Sequence, residues 1–99
     1  MYNRFFTEVY RELQSRNLVG ATGSIESDES LAHQASAVVW DIYCSNDLPK
    51  SDMPVLDRIE QSDEDIANYF LYIFEGDVYV KVEAHAGRIY LDTSGPIYP

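Results

Sequence analysis

Cations are scarce in this chain. Seven lysines and arginines stand against seventeen aspartates and glutamates over 99 residues, a formal net charge of −10. So few basic residues make no stripe along a phosphate backbone, so neither direct nucleic-acid binding nor adhesion to an anionic membrane is expected. Cysteine is scarcer still. Cys44 stands alone, which excludes an intrachain disulfide, fits a reducing compartment and points to a cytoplasmic protein. Long hydrophobic runs are missing too. The longest purely apolar stretch, Tyr69–Phe74, is far below the ~20 residues that span a bilayer. No basic segment followed by an apolar one opens the sequence, so no leader peptide is expected.

Large side chains, in contrast, are plentiful. Hydrophobic residues make up 45% and aromatics 13%, with eight tyrosines, four phenylalanines and one tryptophan. Disordered chains lack that payload, so a folded core is expected. The length suits one domain over residues 1–99. The acid is not spread evenly. Residues 21 to 77 hold thirteen carboxylates against two cations, Lys50 and Arg58, a local net of −11. A localised field of this kind attracts basic proteins.

The N-terminus has the spacing of an amphipathic helix. Tyr2, Phe5, Phe6, Val9, Tyr10 and Leu13 recur at i, i+3, i+4 and i+7, which marks one buried face. Glu8 with Arg11 and Glu12 with Arg16 fall side by side on the other. Asn17 and Gly20 tolerate the left-handed backbone that ends helices. Residues 20 to 30 are loop chemistry, and Ser27 or Asp28 is positioned to cap a second helix. That helix runs to about Cys44 on the spacing of Leu31, Ala35, Val38, Val39 and Ile42, although 38 to 43 also has strand character. On the helix, Trp40 points away from the apolar stripe.

Further along, Pro54 fits a first helical position, and a short helix with Val55, Leu56 and Ile59 turned inward is expected. Ser62 followed by Asp63, Glu64 and Asp65 is a helix-start signal, with a helical turn expected over about 62 to 68. Tyr69–Phe74 is apolar on both alternating faces, as a central strand is, though its spacing also permits a helix. The end is plainer. Glu75, Gly76 and Asp77 form a turn, residues 78 to 83 alternate as a half-buried strand, Ala86 and Gly87 make a second turn, and residues 88 to 93 a further strand. The expected fold is α+β: N-terminal helices packed on a C-terminal antiparallel β-meander of about three strands.

No catalytic motif is present. His33 and His85 each lack a second ligand at metal-binding spacing. Cys44 lacks a nucleophile signature and is expected to be buried and inert. A calcium loop opening at Asp63 would need glycine at Asn68 and glutamate at Phe74. The Gly20 to Ser24 stretch lacks the lysine of a phosphate loop. No catalytic residue, metal site or cofactor is therefore expected.

Two functions fit this pattern. The first is an acidic protein-binding module that masks a basic surface of a partner, in the manner of an immunity protein, an antitoxin or a nucleic-acid mimic. The acids at the two expected helix starts have a capping role. That leaves Asp41, Asp47, Asp52, Asp57 and Glu60, flanking Trp40, as the partner-binding set. The second is an aromatic-lined ligand-binding domain with Tyr72, Tyr79, His85 and Tyr90 around a small molecule between helices and sheet. A homodimer through the last strand and the Ile97-Tyr98 tail is compatible with both.

Overall fold

A computed structural model of the chain describes residues 3–19, 27–45, 47–62 and 68–97. Tyr2, Gly20, the loop before Ser27, the acids at 63 to 65 and the end of the tail, Tyr98 and Pro99, lie outside them.

The first helix, α1 (Asn3–Ser15), buries Phe5, Phe6, Val9 and Leu13. Its wet face carries the Glu8–Arg11 and Glu12–Arg16 ion pairs at 3.5 and 2.9 Å. It ends as its sequence dictates: Asn17 takes a left-handed φ of 57°, and the Leu18 amide reaches back to the Leu13 carbonyl at 2.9 Å. The second helix, α2 (Asp28–Cys44), is capped by Ser27, whose hydroxyl accepts from the Ser30 amide at 3.1 Å. Asp28 and Glu29 fill its first turn, where the helix dipole favours negative charge. Asp28 also accepts from the Gly87 amide at 3.1 Å, which ties the start of α2 to the last hairpin.

A single 3₁₀ turn over Lys50–Asp52 leads into the sheet. The strands are β1 (Leu56–Gln61), β2 (Tyr69–Phe74), β3 (Val78–His85) and β4 (Arg88–Thr93), antiparallel in the order β1-β2-β3-β4. The α+β arrangement is the expected one, with a fourth strand added at its front. The short helix expected after Pro54 does not form; β1 stands in its place. Helical spacing over so few residues is weak, and β2 exposes backbone donors and acceptors along both edges that must be paired. β3 satisfies one edge and β1 the other. Of the three residues expected to turn inward, only Leu56 packs against the core, while Val55 and Ile59 are 56% and 45% exposed.

The β3–β4 turn has positive φ at both Ala86 (54°) and Gly87 (75°), the backbone that matches the twist of a two-residue hairpin. Both helices cover one face of the sheet. Phe70, Tyr72 and Phe74 from β2, Val80, Val82 and Ala84 from β3, and Ile89 from β4 meet the apolar sides of α1 and α2 there. The other face carries no helix among the described residues.

Candidate functional site

The helix layer stops short of β1. The helix-facing side chains of β2 meet α2 one after another along its length. The Phe70 ring lies 5.0 Å from that of His33, the Tyr72 hydroxyl donates to the Ser36 carbonyl at 3.1 Å and touches the Ser36 hydroxyl, and the Phe74 ring lies 5.9 Å from Tyr43. β1 runs one strand further out. Its register pairs Gln61 with Phe70, Ile59 with Tyr72 and Leu56 with Phe74. Ile59 therefore shares the helix-facing side of the sheet with Tyr72, beyond the flank of α2. Apart from Leu56, every β1 residue is exposed.

Trp40 stands on that flank. It is one helical turn beyond Ser36 and 44% exposed, and its ring stacks on Tyr43 at 5.9 Å with a 22° tilt. Tyr43 belongs to two environments. Its ring packs edge-on against Phe5 in the core, and its hydroxyl accepts from the Leu56 amide at 3.0 Å, joining α2 to β1. A held tryptophan and an exposed isoleucine thus border one seam between helix and strand. Among the described residues, three of the four large hydrophobic residues that remain exposed, Trp40, Val55 and Ile59, belong to its two elements or the residue leading into β1. Surface leucines or valines scattered singly mean little, but a concentration does.

The carboxylates nominated from the sequence separate in space. Asp41 is exposed next to Trp40 on α2. Asp57 and Glu60 are exposed on β1, where both hold Arg58, at 3.2 and 2.8 Å. The Glu60 hydrogen bond is the main reason that the Arg58 pKa is raised. Glu60, in register with Leu71 and bonded to Arg58, lies on the helix-free side of β1, so Asp41 is the one of the three that stands next to Trp40. The other two lie elsewhere. Asp52 pairs with Arg4 of α1 at 3.5 Å, and Asp47 lines a separate cleft with Glu8, Glu12 and Ile42.

The aromatic set separates as well. Tyr72 is buried under α2, and its pKa is raised by burial, against the lowering effect of Ser36. Tyr79 and Tyr90 lie on the opposite, helix-free face, where the Tyr79 hydroxyl donates to Asp92 at 3.2 Å. The negative charge of Asp92 raises the Tyr79 pKa, with lesser contributions from desolvation and that hydrogen bond. His85 is exposed at the end of β3. The helix-free face holds a shallow groove of about 270 Å³ floored by Leu71, Ile73 and Tyr79, between Arg58 and Lys81.

Sequence reasoning missed Ile59 and the bridging role of Tyr43. The signal for Ile59 was its position as the one apolar residue within Asp57-Arg58-Ile59-Glu60-Gln61, too polar a string for a buried element. Cys44, expected to be buried, is exposed. Among the described residues no three histidine, cysteine, aspartate or glutamate side chains gather as metal ligands, and no helix is long and apolar enough to cross a membrane. In comparisons with known proteins, no family model, no curated protein and no solved structure matches the chain.

Proposed function

We propose that this protein is an acidic protein-binding module that masks a basic surface of a partner, acting as an immunity protein, an antitoxin or a nucleic-acid mimic does. The observation that carries this reading is the exposed Trp40, stacked on Tyr43 and next to Asp41 on α2, in a chain of net charge −10 whose edge strand β1 exposes Asp57, Ile59 and Glu60. Tryptophan buries much area for little entropy, so it serves as the lasting contact, and the carboxylates raise the rate of encounter and reject acidic competitors. Five of the seven cations, Arg4, Arg11, Arg16, Arg58 and Lys81, are already held in ion pairs. Each is already counted in the net charge of −10, and that remainder is the field that a basic partner meets. The setting in which it acts is cytoplasmic in this reading.

The test is affinity capture at low salt followed by a salt gradient. A basic protein should elute as salt rises, because screening weakens exposed charge pairs, and Trp40→Ala and the double variant Asp57→Asn, Glu60→Gln should each reduce its capture. A partner indifferent to salt and to all three substitutions would remove the reading.

The groove on the helix-free face favours a second reading, a small aromatic or apolar ligand laid on Leu71, Ile73 and Tyr79. A metabolite screen by thermal shift tests it, since a bound ligand raises the melting temperature by mass action. A Leu71→Lys variant should lose any shift found.

A further inference from the structure

The unusual feature of the seam is that one of its walls is the edge of a sheet. An edge strand presents a row of backbone donors and acceptors with no partner, and folded proteins blunt such rows or use them. The two edges differ here. At β4 the chain closes the start of the edge itself: the Ile89 amide donates to the Leu18 carbonyl at 3.1 Å, and Val19 bridges to Ile89 in parallel. At β1, among the described residues, no segment pairs with the outer side. Charged Asp57, Arg58 and Glu60 guard the edge against unselective pairing, and a bulge lies between Leu56 and Arg58. It twists the beginning of the strand and leaves residues 58–61 in regular register with β2.

From this we infer, on top of the acidic-module reading, that the partner contributes an extended segment bearing lysine or arginine, which joins the sheet as a fifth strand along residues 58–61. Side chains alternate across a strand. Those of the incoming segment on the helix-facing side come to lie beside Ile59 and toward the Trp40 flank, where an apolar residue fits. Those on the other side come to lie beside Glu60 and Arg58, where a cation competes with Arg58 for the Glu60 carboxylate. The recognised pattern is therefore an alternation of apolar and basic residues. Backbone hydrogen bonds supply affinity in such strand addition, and the alternate side chains supply specificity. Charge chooses the occupant. Two copies of this chain, each at −10, repel one another, so a second copy is disfavoured and a basic segment is favoured.

The experiment uses the full ¹⁵N-labelled chain and three short synthetic peptides: alternating valine and lysine, the same sequence N-methylated at every second amide, and alternating valine and glutamate. The valine–lysine peptide should shift the amide resonances of residues 58–61 and the Trp40 indole, and slow exchange of the outward β1 amides about tenfold or more. The other two peptides should do neither, and Ile59→Lys and Glu60→Lys, checked for intact folding by circular dichroism, should each abolish the effect. Binding of both lysine peptides at Trp40 with no protection of β1 overturns the added strand and leaves the acidic-module reading standing. No binding of either lysine peptide at any surface at low salt overturns both. Protection of β1 in the peptide-free protein, rising with concentration together with a doubling of the mass in solution, assigns the edge to a second copy and overturns the inference.

Discussion

At β4 the chain folds back on its own sheet. The segment after α1 hands a carbonyl to Ile89, and Ile89 is wholly buried beneath the helices. At β1, the opposite edge, the equivalent helix-facing position is held by Ile59, which is nearly half exposed, with the last turns of α2 alongside rather than above it. The same side chain type therefore sits at both edges of one sheet in opposite environments. The difference teaches where stability resides and where the proposed partner would find apolar surface. Burial beneath the helices stabilises the fold at β4. At β1 apolar area remains in water, where it contributes nothing until a partner covers it.

Truncation separates the edges most sharply. Ile89→Ala should cost about 2–5 kcal/mol, the range for emptying a close-packed core site, whereas Ile59→Ala should stay within about 0.5–1 kcal/mol, as exposed sites do. Urea unfolding midpoints of the two variants measure this directly. Equal losses would mean that β1 is covered in solution and would dissolve the contrast. Next in size is Tyr72→Phe, directly beside Ile59 in register. It removes the hydroxyl held by Ser36 and should cost about 1 kcal/mol at neutral pH.

The same variant has a pH signature. Burial raises the Tyr72 pKa above its ordinary value of 10.0. As pH climbs past that value the unfolded chain ionises first and binds fewer protons than the native one, so stability present below about pH 10 is lost above it. Tyr72→Phe should make this alkaline decline shallower, as read from melting temperatures across the alkaline range. Tyr79 shifts in the same direction, but it is only half-buried, so its replacement should alter the slope less.

Smaller effects belong to the seam itself. Trp40→Ala should lower stability by about 0.5–1.5 kcal/mol, the worth of its stacking on Tyr43, while removing most partner binding. A large loss of folding with binding intact would make Trp40 a structural residue. Last comes Arg58→Gln, whose ion pairs with Asp57 and Glu60 are exposed and screened. It should leave the urea midpoint unchanged and tighten binding of a basic partner, because two carboxylates are released.

Local chemistry made much of the fold legible. Ser27 as a cap, Asn17 as a helix end, the Ala86 and Gly87 turn and the alternation through Val78, Val80 and Val82 are each decided by residues within a few positions of one another. So was the outward direction of Trp40, since helical periodicity alone places it opposite the apolar stripe. β1 was not legible. Leu56–Gln61 has no clean alternation, because only Leu56 of its side chains packs against the core, and its strand identity comes from the unpaired edge of β2 rather than from its own residues. The candidate site was legible in part. Asp41 stands next to Trp40, but Glu60 turns to the helix-free face with Arg58, Asp52 is drawn off by Arg4 and Asp47 lines the cleft beside α1, placements that sequence distance does not disclose.

By itself, then, the sequence determined the acidic field, the helix ends, the tight turns and the pattern of the central strands, since these depend on composition, on backbone preferences and on near neighbours. Only the tertiary structure decided which edge of the sheet stays unpaired among the described residues and which carboxylates share a face with Trp40. Both depend on how far a helix layer two helices wide reaches across four strands, and that is a matter of packing between elements remote in the chain.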